Sequence, residues 1–331
     1  MADASSKSAV ALALVGNSFL TAIKFVAFAF SGSGSMFSEA MHSLADAGNQ
    51  GLLFLGIRRS ERPADTMFHY GYGSERFLFA LLSAVGIFIL GCGVTVYHGI
   101  STLLDPHELS VGWIDYTVLG ISFLVDGAVM GKAIKAINAQ RGDVPFLKFV
   151  RTSSDPTIAA VLLEDGVACL GVAVAATGIL LAKLSGITAF DAAGSIVVGL
   201  LMGFIAVWLG YRNRSLIIGV AIPREVQEEA IAFIESQPTV EKVNAVQSLV
   251  LGAGTFKLKA EVDFDGRALA DSVMAWVEEN AKDLDTEEGR KQFARELGEK
   301  ITEAEGDEID RIEKELIKRW PQLAYVDLET D

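Results

Sequence analysis

The chain has 331 residues, 51% of them hydrophobic, a positive mean hydropathy and a formal net charge of −14. It is too apolar for an ordinary soluble protein and too long for one small domain, so it reads as a membrane protein with a soluble appendage. From Ser215 onward 27 acidic residues stand against 14 basic ones, a net −13, which excludes nucleic acid and anionic lipid headgroups as partners of that segment.

In chain order, six apolar stretches have about the 20 residues needed to cross a bilayer. They run approximately Ser8 to Phe30, Met36 to Ile57, Phe77 to Leu104, Trp113 to Met130, Thr157 to Ala182 and Phe190 to Tyr211. No small-residue cleavage site follows a short apolar core near the start, so the first stretch reads as a retained membrane helix. The turns Ser31 to Ser35, Asp105-Pro106-His107-Glu108 and Leu184 to Thr188 carry few charges. The opposite connections hold Lys7, Arg58, Arg59, Arg62, Arg76, Lys132, Lys135, Arg141, Lys148, Arg151, Arg212 and Arg214. An excess of Lys and Arg marks the cytoplasmic side, so a multi-pass protein with both termini in the cytoplasm is expected, set in a bacterial inner membrane.

The second stretch carries a polar stripe. Glu39, His42, Asp46 and Asn49 recur at three- and four-residue spacings, so on a helix they share one face. Ionisable groups in hydrocarbon must be paired, hydrogen-bonded or metal-bound, and one turn of spacing suits two ligands of a tetrahedral cation, with nitrogen and oxygen donors typical of zinc. The rival reading is a hydrogen-bonded seam that only packs helices together. In the fifth stretch Glu164 and Asp165 are adjacent, about 100° apart around a helix, so only one comfortably joins that site. Asp165 is the choice, with Glu164 second, and Gly48, Gly166 and Gly171 are expected to let the two helices approach closely.

Other polar residues in the spans have structural readings. Lys24 either snorkels outward or pairs with Glu39 or Asp126. Asn17, Asp126 and Asp191 suit a water-filled route, although Asp191 also suits the cap of its own helix, the preferred reading. His98, beside Tyr97, reads as an interfacial residue. Cys92 and Cys169 are the two cysteines, which leaves no CxxC pair and no disulfide framework. No nucleophile–base constellation or phosphate-binding glycine loop appears, so no enzyme and no prosthetic group is expected.

Together these residues resemble the cation diffusion facilitators, proton-coupled exporters of divalent metals, over nearly the whole chain. The resemblance rests on the Gly-Ser loop before the second helix, the His42-Ser43-Leu44-Ala45-Asp46 motif, and the loop Arg62-Pro63-Ala64-Asp65 followed by Tyr70 to Arg76. Asp191-Ala192-Ala193-Gly194-Ser195 opening the sixth helix and a C-terminal cytoplasmic domain complete it. It implies two metal ligands from helix two, His42 and Asp46, and a pair from helix five, of which Asp165 matches one while Val161 occupies the other and cannot bind metal. Glu164, Glu39, Asn49 or water then completes the shell. The Leu163-Glu164-Asp165 segment is similar to the branch typified by the mitochondrial zinc transporter nine. Asp65 and His69 are candidates for a weak secondary site, a structural role being the preferred alternative. The implied function is zinc(II)/proton antiport by alternating access, with manganese, iron(II) and cobalt as runner-up cargoes. A membrane metal sensor that binds without transporting is the rival from another class.

The expected division is a six-helix membrane domain over 1–214 and a cytoplasmic domain over 215–331. Pro223 to Ser236 reads as an amphipathic helix, Lys242 to Leu251 and Thr255 to Asp263 as strands about a glycine turn, and Tyr325 to Leu328 as a closing strand. This α/β pattern resembles the family's ferredoxin-like domain, which implies homodimerisation. The segment at about 267–320 reads as an insertion of two or three charged helices with a solvated face.

Overall fold

The computed structural model describes residues 2–106, 112–140, 145–146, 156–282 and 284–331, and it divides into two compact units, Met1–Ile217 and Ile218–Asp331. The predicted turn at 105–108 and the charges Arg141, Lys148 and Arg151 fall wholly or partly outside these residues.

The first unit is helical: α1 (Ala2–Ser31), α2 (Gly34–Ser60), α3 (Glu75–Leu104), α4 (Trp113–Gln140), α5 (Pro156–Ser185) and α6 (Ala189–Ile218). Among the described residues, five of these helices are long and apolar enough to cross a membrane, and α2 is the exception. The reason is its position. It packs against α1, α3 and α5 and bonds to α6, so almost every residue from Gly34 to Ser43 is buried against protein. A helix half enclosed by others needs less lipid-facing apolar surface, and the exposed Leu44 and Leu55 lie beyond the enclosed part. The enclosing helices supply that surface, with Phe19, Phe30, Leu124, Phe204 and Tyr211 all exposed.

The α2 entrance is built across the unit. Ser33 caps the helix, its Oγ accepting from the Met36 amide. Asp191, in the first turn of α6, does not cap its own helix as its position suggests; the carboxylate caps α2 instead. It accepts from Ser33 Oγ at 2.7 Å, the Gly34 amide at 2.6 Å and the Ser35 amide at 3.2 Å, and it is fully buried. Three convergent donors at a helix N-terminus give a buried anion the partners that make its burial tolerable. One turn on, Ser38 and Ser195 hydroxyls bond at 2.6 Å.

Helix α3 contains a wider π-helical segment, Ile87–Val94, which hydropathy does not reveal. Small residues bring α3 and α6 together: a Cβ on Gly203 would lie 2.7 Å from Cys92 Sγ, and one on Gly99 would lie 3.1 Å from the Ala192 carbonyl oxygen. The expected α2–α5 approach through Gly48 and Gly166 is not made, since both face open space, whereas Gly171 does lie against α2.

The second unit runs α7 (Arg224–Glu235), β1 (Val240–Gly252), β2 (Thr255–Phe264), α8 (Gly266–Ser272), α9 (Met274–Asn280), α10 (Glu287–Arg319) and β3 (Leu323–Thr330). The strand order is β1-β2-β3, antiparallel then parallel. Gly254 has φ +66° in the hairpin turn, where an L side chain is disfavoured. Ala230 and Ile234 of α7 and Ile312 and Leu316 of α10 pack on Leu258, Ala260, Val262 and Leu323, forming the core. The segment expected as a solvated helical insertion forms α8, α9 and the long α10, but α10 also packs on the sheet through Ile312 and Leu316 as the crossover to β3; it starts on a Thr286 cap that accepts from the Gly289 amide.

Candidate metal site

Helix α2 sets His42 and Asp46 one turn apart, with His42 Nε2 3.3 Å from Asp46 Oδ2. The side chain is 10% exposed, and neither ring nitrogen has a hydrogen-bond partner. A buried ring nitrogen without a hydrogen bond loses its hydration with little in return, unless a proton donor or a metal arrives. His42 and Asp46 face a small cavity closed by Ile87 of α3, Glu164 and Val167 of α5, and Met202 and Ile205 of α6. Its volume is about 10 Å³, room for about one water or one dehydrated cation.

Of the two adjacent acids, Glu164 lines this cavity. Asp165 lies one residue further round α5, with Oδ2 buried and unpartnered and with Asp126, Asp46 and His42 as its charged neighbours. The structure therefore brings His42, Asp46 and Glu164 to one space and sets Asp165 beside it, toward Asp126 of α4. No group of three His, Cys, Asp or Glu among the described residues is close enough to hold a metal. The side chain of Val161 lies outside the described residues.

The two remaining candidates on the stripe have other partners. Glu39 Oε2 accepts from Lys24 Nζ at 2.9 Å, with both side chains almost completely buried. Asn49 Oδ1 accepts from Ser83 Oγ of α3 at 2.6 Å. The apolar wall of Ile87, Met202 and Ile205 was not anticipated; nothing in the local pattern of α3 or α6 distinguishes those residues from lipid-facing ones. His98 packs its ring against Phe37 and Phe28, at 4.2 and 5.8 Å between centroids.

The loop after α2 is held by Asp65. Its carboxylate accepts from the Met67 and Phe68 amides at 2.8 Å and from the Tyr72 hydroxyl at 2.7 Å. These bonds, led by Tyr72, hold the Asp65 carboxyl below its ordinary range, and the same contact raises the Tyr72 phenol. With both oxygens engaged, Asp65 organises the loop, and His69 is exposed nearby.

Residues 10–218 match the cation efflux transmembrane domain. The chain belongs to the cation efflux family. The resemblance read from its motifs therefore holds, and the chain is a multi-pass membrane protein, in keeping with its five long apolar helices. It is 39% identical over 328 residues to a mouse protein named mitochondrial proton-coupled zinc antiporter, and 38% identical to the human one. The match covers 97% of this chain but 58% of each relative, so the chain spans a little over half the length of those proteins. Metal tolerance protein C4 of Arabidopsis thaliana is 35% identical, over 99% of this chain and 74% of its own length. The cation-efflux pump FieF of Escherichia coli is 26% identical, over 76% of this chain and 78% of its own.

Proposed function

We propose that this cation efflux protein exchanges zinc(II) for protons by alternating access. The observation that carries the reading is the buried His42 imidazole, with no hydrogen bond at either nitrogen and Nε2 3.3 Å from Asp46 Oδ2, across a cation-sized cavity from Glu164. The names of the mammalian relatives support zinc and proton coupling. His42 and Asp46 supply the first two ligands, and Glu164 or Asp165 supplies a third after a small rotation or shift of α5. Ligation requires a neutral imidazole and ionised carboxylates, so protons arriving from the opposite side compete with the metal at the same atoms and displace it. That competition couples the two fluxes.

In this reading α2 completes six crossings, both ends of the chain face the cytoplasm, and residues 1–214 form the transport domain. The segment 215–331 is a ferredoxin-like variant that supports a homodimer, and its acidic surface concentrates cations weakly near the membrane. The donor set, one nitrogen with several carboxylate oxygens, also favours manganese, iron(II) or cobalt as rival cargoes.

The test is metal flux into proteoliposomes of the purified chain under an imposed pH gradient, comparing zinc with those three ions. Zinc flux that follows the gradient and disappears in His42→Ala and Asp46→Ala is expected. Undiminished flux in either variant would refute the site, and tight binding without flux would favour the sensor reading. Glu164→Gln and Asp165→Asn, measured side by side, decide which acid of α5 ligates.

A further inference from the structure

The polar face of α2 continues beyond the cavity toward the N-terminal end of the helix. One turn from His42 on the same face stands Glu39. Gly171, one turn beyond Val167 on α5, lies so close that a Cβ there would be 3.1 Å from Glu39 Oε1. On α6, Val198 flanks the same point, one turn from Met202. Three of the four helices that wall the cavity, α2, α5 and α6, thus meet again around Glu39, about 5 Å further along, the pitch of one helical turn.

Glu39 is fully buried, and its two oxygens differ. Oε2 is held by the Lys24 ammonium, whereas Oε1 points at the bare backbone of α5 and has no hydrogen-bond partner. A pair placed only for packing would satisfy both oxygens, because a half-satisfied buried carboxylate is costly. Any side chain at 171 would press on Oε1, so glycine there leaves that oxygen against bare backbone.

We propose that Glu39 is a second, transit station for the divalent cation, one turn beyond the His42–Asp46–Glu164 cavity, with Lys24 as the tethered cation that occupies it at rest. A metal leaving the cavity along this face of α2 meets a carboxylate oxygen already stripped of water and held ready. The divalent ion displaces the ammonium from Oε2. The ammonium, bound to α1, returns when the ion moves on and prevents the ion from being trapped there. Lys24 acts through Glu39 and touches no metal itself. This inference rests on the cavity reading given above and adds to it a place on the exit route.

The deciding variant is Lys24→Met with Glu39→Gln, which removes both charges and strands neither in the interior. Zinc binding to the purified full-length protein in detergent is followed by calorimetry, and zinc flux is measured in proteoliposomes of phosphatidylethanolamine and phosphatidylglycerol under a pH gradient. Zinc affinity is expected to stay within about twofold while maximal flux falls about tenfold or more at unchanged half-saturation, the scale of losing one charged contact from the crossing step. Wild-type flux in the double variant would overturn the proposal, since a pair that only packs helices is replaceable by neutral groups. Should that variant not fold, Lys24→Glu with Glu39→Lys keeps the pair but places the ammonium on α2. Folded protein with lost flux is then expected, and retained flux overturns the proposal. Failure of both variants to fold also overturns it, making the pair a structural element. The cavity reading fails separately, on undiminished zinc binding in His42→Ala with Lys24 and Glu39 intact.

Discussion

Replacing Asp191 tests whether the membrane unit is held together where α6 caps α2. Asp191→Ala removes the acceptor for the Ser33 hydroxyl and the Gly34 and Ser35 amides, which contact it at 2.7, 2.6 and 3.2 Å, and leaves these donors in a site with no solvent exposure. Hydrogen bonds to a charged acceptor contribute about 1.5–3 kcal/mol each, and the third contact is the longest. Water entering the vacated space recovers part of the sum, so a net loss of about 3–5 kcal/mol is expected, as for other broken buried charge clusters. Asp191→Asn keeps one carbonyl oxygen in the same place but loses the negative charge at the α2 N-terminus, for an expected loss of about 1–2 kcal/mol. Equilibrium unfolding in mixed micelles, followed by modification of Cys92 and Cys169, reads this directly, because both free thiols belong to the membrane unit. An alanine variant within about 1 kcal/mol of the parent would refute the reasoning and mean that the three donors find other partners.

Gly99→Ala drives a methyl into the Ile196 side chain and the α6 backbone, with expected destabilisation of about 1–3 kcal/mol, whereas Gly48→Ala meets nothing and is expected to be neutral or to stabilise by up to about 1 kcal/mol; the same unfolding assay compares them. Tyr72→Phe frees one oxygen of Asp65, so the Asp65 carboxyl is expected to titrate at higher pH by carbon NMR with zinc flux changed less than about twofold, and a large loss of flux would restore a transport role to this loop. In the second unit, hydrogen bonds from Arg311 and then Thr239 hold the Glu308 carboxyl below its ordinary value. A depressed carboxyl stabilises the fold above its unfolded pKa, and that contribution disappears as pH falls through the folded value. The protection of β2 amides, taken relative to the intrinsic exchange rate at each pH, is therefore expected to fall as pH is lowered through the acidic carboxylate range, and less steeply in Glu308→Gln. Burial pushes Glu313 the opposite way, so Glu313→Gln is expected to steepen the net acid loss of protection.

The sequence by itself determined the helical membrane unit, the acidic α/β segment, the helical insertion between the second and third strands, and the face of α2 that carries His42 and Asp46. Those features depend on hydropathy and on periods of two or 3.6 residues, which are local properties of the chain. It also determined the family, because the motif residues are contiguous in sequence. Only the tertiary structure decided how polar groups pair across helices. Lys24 takes Glu39, Asn49 takes Ser83, Asp191 caps a helix 157 residues away, and Glu164 rather than Asp165 lines the cavity. The physical reason is rotation about helix axes. Adjacent residues differ by about 100°, so a modest turn of α5 exchanges one acid for the other, and no local pattern reports that turn. It is set by contacts between helices, including the meeting of α3 and α6 at Gly99 and Gly203 and the approach of Gly171 to α2.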